Sequence, residues 1–291
     1  MFLAKLTSSP NTHRMEAEPV SLDQVRHHER MELEYWRDWF EAVPPGVAQR
    51  YGTACEMAEG TLLLLMPRVD VLMFNRVLGL GLEKPVTEAQ LDGILARYRS
   101  AGAPRFFIPF SPAAEPQEAG AWLESRGLTR YNRWAKLERG IENIPEARTD
   151  ARIEEIGPEH REAFGRVLQE GFGMPPDLAP WTAALVGRKD WRHYMAFDGA
   201  TPVGTASLYV KGDWGSLGFA TTLPQARGRG VQSALITRRI ADARQMGCRC
   251  LSVETAEDKP DKPAPSFHNV TRLGFRMAYF RDNYLGTGGN A

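Results

Sequence analysis

Cysteine is scarce in this chain: three in 291 residues, two of them in Cys248-Arg-Cys250. Three thiols build no disulfide framework, and no second Cys pair or His pair completes a zinc site, so no metal is expected. Alternation on a strand would send the two thiols of the C-x-C pair to one face, where they read as small buried side chains. Net charge is absent as well, since 36 basic residues match 36 acidic ones. That balance argues against nucleic acid or anionic lipid as a partner and leaves the basic residues as local tools. Long apolar runs are missing too. Thr61-Leu-Leu-Leu-Leu-Met66 is far too short to cross a bilayer. Met1-Phe-Leu-Ala-Lys-Leu6 has neither the apolar core nor the cleavage site of a signal peptide. A soluble, cytoplasmic protein without a membrane partner is the expectation.

What the chain does have is enough apolar material, 43%, for two ordinary cores. Its most informative stretch is Leu223-Pro-Gln-Ala-Arg-Gly-Arg-Gly-Val-Gln232, which runs into a helical pattern from Ser233 to Met246. Gly228 and Gly230 allow a tight turn in which successive N–H groups converge on one cluster of oxygens. The helix that follows adds its own unpaired N–H groups and the positive end of its dipole, with Arg227 and Arg229 beside it. The loop therefore reads as a pyrophosphate cradle. A Walker loop needs a Lys that this one lacks, and a Rossmann fingerprint needs a third glycine where Ser233 stands.

The flanks narrow the choice further. A strand Arg152 to Ile156 is predicted to lead into a helix Glu159 to Glu170, a breaker Gly171-Phe-Gly-Met-Pro-Pro176, and a second helix Leu178 to Val186. Strands then follow near Trp191 to Asp198, Pro202 to Val210 and Gly215 to Thr222, before the glycine loop and its helix. Cys250-Leu-Ser-Val-Glu-Thr255 is the next strand, and Arg272-Leu-Gly-Phe275 closes a last helix. In this order, Pro224-x-x-Arg227-Gly-x-Gly230 and Leu273-Gly-Phe275 resemble the acyl-CoA site of the GNAT acetyltransferase superfamily, over roughly residues 151 to 285. Two positions depart from that pattern: Gln232 stands where the superfamily has Gly or Ala, and Val270 replaces its usual Tyr.

The first half reads as a weaker copy of the second. Val71 to Leu82, a helix Glu88 to Ser100, Arg105 to Phe110 and Ala121 to Leu128 parallel Trp214 to Phe275, and Arg126-Gly-Leu128 echoes Leu273-Gly-Phe275. In place of the cradle it has Gly81-Leu-Glu-Lys-Pro-Val86, without paired glycines and with Pro85 removing a donor. The expected fold class is α/β (α+β): two GNAT-like domains, each a mixed, mostly antiparallel sheet flanked by helices. Expected boundaries are a disordered extension 1–20, a degenerate domain 21–141 without a cofactor loop, a linker 142–150, and the acetyltransferase domain 151–291.

The resemblance implies an N-acyltransferase that takes acetyl-CoA, or another acyl-CoA, and an amine of a small molecule or protein, as monomer or homodimer. It implies that two strands splay apart and that Ala220, Thr221 and Thr222 offer backbone groups to the pantetheine arm. The loop Arg227, Gly228, Arg229, Gly230, Val231 and Gln232 would hold the pyrophosphate, with Asn269 beside the cofactor. Glu254, at a strand end near the wedge, is the candidate base, although a solvated strand-end acid reads equally well. For the acid, Tyr284 is taken forward among Tyr279, His268, Asn269 and Ser266. Phe172, Met174 and Trp181 are candidates for the acceptor pocket, a pattern that core packing would also produce. A binding module that holds acyl-CoA without turnover is the competing class.

Overall fold

The computed structural model describes residues 20–288. Most of the expected extension 1–20 lies outside them. The first half runs α1 (Leu22–Glu41), α2 (Pro45–Tyr51), β1 (Ala54–Ala58), β2 (Thr61–Leu65), β3 (Arg76–Leu78), α3 (Glu88–Ser100), β4 (Arg105–Phe110), α4 (Ala119–Ser125) and β5 (Thr129–Gly140). The second runs β6 (Arg152–Ile156), α5 (Arg161–Phe172), α6 (Ala179–Ala183), β7 (Trp191–Asp198), β8 (Thr201–Lys211), β9 (Trp214–Thr222), α7 (Val231–Gln245), β10 (Cys250–Ala256), α8 (Pro265–Arg272) and β11 (Arg276–Thr287). After β6, the order of helices and strands is the same in both.

The eleven strands of the described residues form one sheet, in the order β1-β2-β3-β4-β11-β5-β10-β9-β8-β7-β6. Read outward from its centre the sheet is nearly a palindrome. β11 and β5 pair antiparallel in the middle, each flanked by an antiparallel neighbour, and beyond those lie the two parallel pairs, β3 with β4 and β9 with β10. The last strand of each half is therefore exchanged: β5 lies against β10 and β11 against β4. The covalent link, 141–151, carries no helix or strand, so it is the exchanged strands that join the halves.

Strand alternation sorts the side chains into layers. Tyr194, Ala196, Ala206 and Leu208 meet Val231, Leu235, Ile236 and Ile240 of α7 and Val270 of α8, while α3 and α4 cover the first half with Leu91, Ile94, Tyr98 and Leu123. On the opposite face, Met195, Phe197 and Tyr209 meet α5, α6 and the long helix α1. Helix α1 starts at a Ser21/Gln24 capping box. Its buried stripe, Val25, His28, Glu29, Glu32, Trp36 and Trp39, repeats at three and four residues as a core-facing stripe should, but three of its members are polar. Trp39 stacks on Trp181 of α6, with centroids 4.1 Å apart and planes 11° from parallel.

Candidate functional site

The cradle begins after a single 3-10 turn, Pro224–Ala226. Gly228 and Gly230 both take left-handed backbone, φ +77° and +75°, and Gly230 is the residue from which α7 starts. A Cβ on Gly230 would lie 2.0 Å from the carbonyl oxygen of Arg148, whereas one on Gly228 would meet nothing within 4 Å. The turn is therefore tight against the inter-half link at one glycine and open at the other. The first backbone bond of the helix runs from the Ala234 N–H to the Gly230 carbonyl, 3.0 Å. Among the described residues, no backbone carbonyl accepts from the N–H groups of Gly228, Arg229, Gly230, Val231, Gln232 or Ser233. Six consecutive donors at the positive end of a helix dipole are an arrangement suited to an anion.

The matching segment of the first half is closed. Its Val86 N–H donates to the Glu115 carbonyl at 2.7 Å, its Leu82 N–H donates to Gly79, and the Glu115 N–H donates back to Gly81 at 2.9 Å. Pro85 has no N–H to offer.

The expected splay is present between β9 and β10. Their parallel pairing runs from Cys250 opposite Trp214 to Val253 opposite Leu217 and stops there. β10 continues along β5, with Glu254 opposite Lys136, while β9 bulges. Between Thr205 opposite Thr221 and Ser207 opposite Gly218 the register slips, so Ala206 faces two residues, and one of them, Phe219, has φ +48°. Ala220, Thr221 and Thr222 lie half-buried along the resulting gap.

Residues 155–275 match the family model described as acetyltransferase (GNAT) family. That match lies within the second half. Solved structures of similar fold span almost the whole chain. A GCN5-related N-acetyltransferase from Kribbella flavida is 17% identical, with a TM-score of 0.60, covering 91% of this chain and 96% of its own. One from Sphaerobacter thermophilus is 15% identical, with a TM-score of 0.58, covering 94% and 96%. A tandem GNAT protein from the clavulanic acid biosynthesis pathway is 16% identical, with a TM-score of 0.59, covering 95% and 92%. No curated protein matches the sequence.

Within the matched segment the two loop arginines differ. Arg229 is held between Asp150 at 2.7 Å and Asp198 at 2.6 Å, and these carboxylates, Asp198 foremost, push its pKa up. It ties the loop to the link and to the β7–β8 turn instead of offering a free charge. Arg227 is exposed, and its Nε–H donates to the Thr222 carbonyl at 3.1 Å, which leaves its guanidinium beside the open amides. Asn269 bonds the side chain of Gln232 and accepts from Arg272 at 2.8 Å. Gln232 and Asn269 thus bridge the starts of α7 and α8.

Glu254 sits on the α1 face in a buried ionic cluster. Its Oε2 accepts from Arg281 at 2.5 Å and lies 2.8 Å from Lys136. Lys136 and Arg281 also bind Glu32 of α1, whose other oxygen meets Arg76 at 2.8 Å. Arg281 reaches Glu29 as well, and Tyr279 donates to Glu29 at 2.7 Å. Burial alone would raise the Glu32 pKa, but Arg281, Lys136 and Arg76 outweigh it and hold the carboxyl well below its ordinary range. Sequence reasoning missed this cluster. The available clue was His28, Glu29 and Glu32 standing at helical spacing among the buried apolar positions of α1.

Tyr284 does not join Glu254. It lies five residues beyond Tyr279 on β11, opposite Arg130 of β5, and its side chain is 1% exposed in the first-half core against Phe110. Burial raises its pKa. Trp181 and Met174 are 0% and 7% exposed and belong to the shared core, where the Trp181 Nε1–H donates to the Trp39 carbonyl at 2.8 Å. Trp39 stacked on the Trp181 ring and Phe40 and Phe74 set edge-on to it enclose that side chain in the core. Of the three expected acceptor residues only Phe172, at the end of α5, is exposed. Among the other acid candidates, Tyr279 is engaged with Glu29 and His268 lies 3.0 Å from Asp258.

Proposed function

We propose that this protein is an acyl-CoA-dependent N-acyltransferase that moves an acetyl group to an amine of a small molecule or protein. The observation that carries the reading is the run of six unpaired amides, Gly228 to Ser233, opening next to the gap between β9 and β10. These groups suit a pyrophosphate at one end and an extended amide-bearing arm at the other, with Arg227 adding charge. A bound thioester would supply an activated acyl group. The chain's own contribution is placement. Backbone groups of 218–222 left unpaired by the splay would hold the arm, and helix α7 and its amides would fix the phosphates.

Glu254 projects on the α1 face, opposite α7, so an amine acceptor would approach from the side away from the cradle. Its Oε1 is the candidate acceptor for the amine proton, by contact or through water. The first half reads as a copy of the same fold that has lost the cradle, a reading supported by its matching element order and by Val86, Leu82 and Glu115 closing the corresponding loop. A non-catalytic acyl-CoA-binding module is the second reading, favoured by Val270 at the usual Tyr position and by the two cations on Glu254 Oε2.

Calorimetry with CoA and acetyl-CoA, followed by free-thiol release with a panel of amines, separates the readings. Binding with amine-dependent thiol release is expected. Binding without release under every amine supports the module, and no binding by the wild type refutes both. Arg227→Ala is expected to weaken CoA binding about tenfold, the loss of roughly one charge-assisted contact.

A further inference from the structure

Arg239 stands in the middle of α7, 2% exposed, among the apolar residues Leu235, Ile236, Ile240 and Ala243 that pack on the sheet. No carboxylate among the described residues pairs with it, and Asp242, one turn on, is held by Arg238 at 2.9 Å. Burying an unpaired cation is costly, and a leucine or methionine in that stripe would fill the space without the desolvation penalty. Burial pulls its pKa down to about 10, which still leaves it protonated at neutral pH. Packing therefore does not account for an arginine here.

Its bonds show what it touches. Nε–H donates to the Leu235 carbonyl within the helix, and Nη1–H donates across to the Ser207 carbonyl, both at 3.0 Å. Ser207 is the residue at which the β8–β9 register slips. From the opposite face the same irregularity is held by Thr205, whose Oγ1–H donates to the Phe219 carbonyl at 3.4 Å, and by His193, whose Nδ1 lies 2.9 Å from Ser207 Oγ. The bulge at Phe219 begins where β9 leaves β10. Arg239 thus connects the helix that starts at the phosphate cradle to the distortion that opens the gap.

We propose that Arg239 is a positioning residue for the cofactor cleft: by binding the Ser207 carbonyl it locks the β9 bulge and sets residues 218–222 in register with the amides at the start of α7. The proposal rests on the reading that an acyl-CoA occupies that cleft. Without the guanidinium the bulge loses its partner on the α7 face, and β9 is free to slide toward regular pairing with β8 and β10, which narrows the gap.

The test compares wild type, Arg239→Met, Arg239→Lys and Ile240→Val by CoA calorimetry, thermal melting and amide hydrogen exchange of the 216–222 segment. Arg239→Met is expected to melt within a few degrees of wild type, to lose at least tenfold in CoA affinity, and to exchange faster over 216–222. Arg239→Lys should recover part of the affinity. Ile240→Val, a core truncation in the same helix with no bond to the bulge, should leave affinity and exchange at 216–222 unchanged. Wild-type CoA affinity in Arg239→Met overturns the proposal, as does an affinity loss that merely tracks melting temperature as in Ile240→Val. If Arg239→Met does not fold, exchange in Arg239→Lys decides: faster exchange over 216–222 supports the lock, and wild-type exchange refutes it. Failure of the wild type to bind CoA would remove the functional reading itself, and the exchange arm would still report whether Arg239 holds the bulge.

Discussion

Gly228 and Gly230 share a backbone conformation and differ in one contact, which makes an alanine at each a controlled comparison. The left-handed conformation costs a residue with a Cβ about 1–2 kcal/mol, and that is the whole expected cost of Gly228→Ala, because its Cβ would meet nothing within 4 Å. Gly230→Ala carries the same strain and also drives its methyl to 2.0 Å from the Arg148 carbonyl oxygen. This neighbour is backbone and cannot rotate away. The loop or the link must move, at a further cost of about 1–3 kcal/mol on the scale of overpacked sites. Gly230→Ala should therefore be less stable than Gly228→Ala by about 1–3 kcal/mol, several degrees of melting temperature in a chain of this size. Urea unfolding of the two variants side by side measures the difference. Equal midpoints, or a lower one for Gly228→Ala, would refute the inference that the link presses on the cradle. Because the displaced segment is the cradle itself, Gly230→Ala should also weaken CoA binding more than Gly228→Ala does.

Trp181→Ala should cost about 3–5 kcal/mol, the usual range for a buried Trp, and lower the melting temperature by roughly 10 °C. A changed acceptor KM at unaltered stability would restore Trp181 to the acceptor site. Glu32→Gln leaves Arg76, Lys136 and Arg281 short of one buried anion and should destabilise by about 3–5 kcal/mol in urea unfolding. The Glu32 carboxyl is held below 4.5 when folded, so its contribution is present above that pH and lost as pH falls through the folded value. The variant should accordingly show a flatter acid limb. His193 is the opposite case. Burial lowers its pKa from 6.5 to about 4, so between those values the unfolded chain binds a proton that the folded chain refuses. Stability should fall there by up to about 1.4 kcal/mol per pH unit, and His193→Gln should flatten that slope.

Much of the second half was legible in the residues themselves. The breaker at Gly171–Pro176 and the strand patterns after it placed strands near Trp191, Pro202 and Gly215 that the structure has at Trp191–Asp198, Thr201–Lys211 and Trp214–Thr222. Such signals are local, because turn chemistry and alternation act within a few residues. The glycine turn ahead of α7 was readable for the same reason, since two glycines and a helix start determine where consecutive amides point.

Partner choice across the sheet was not readable. That β5 would pair with β10 and β11 with β4 depends on how the halves meet, and no residue in either strand states it. The consequences reach the site. Lys136 and Arg281 come to Glu254 on exchanged strands, Glu29 and Glu32 come from α1 some 220 residues earlier, and Asp150 and Asp198 take Arg229 out of the anion site. Tyr284 was a plausible acid only while its strand had no assigned neighbours. The order of elements and the run of open amides at the start of α7 came from the chain's local chemistry. Which charges surround Glu254 was decided by long-range pairing, because burial makes an ionised side chain seek a partner wherever the fold supplies one.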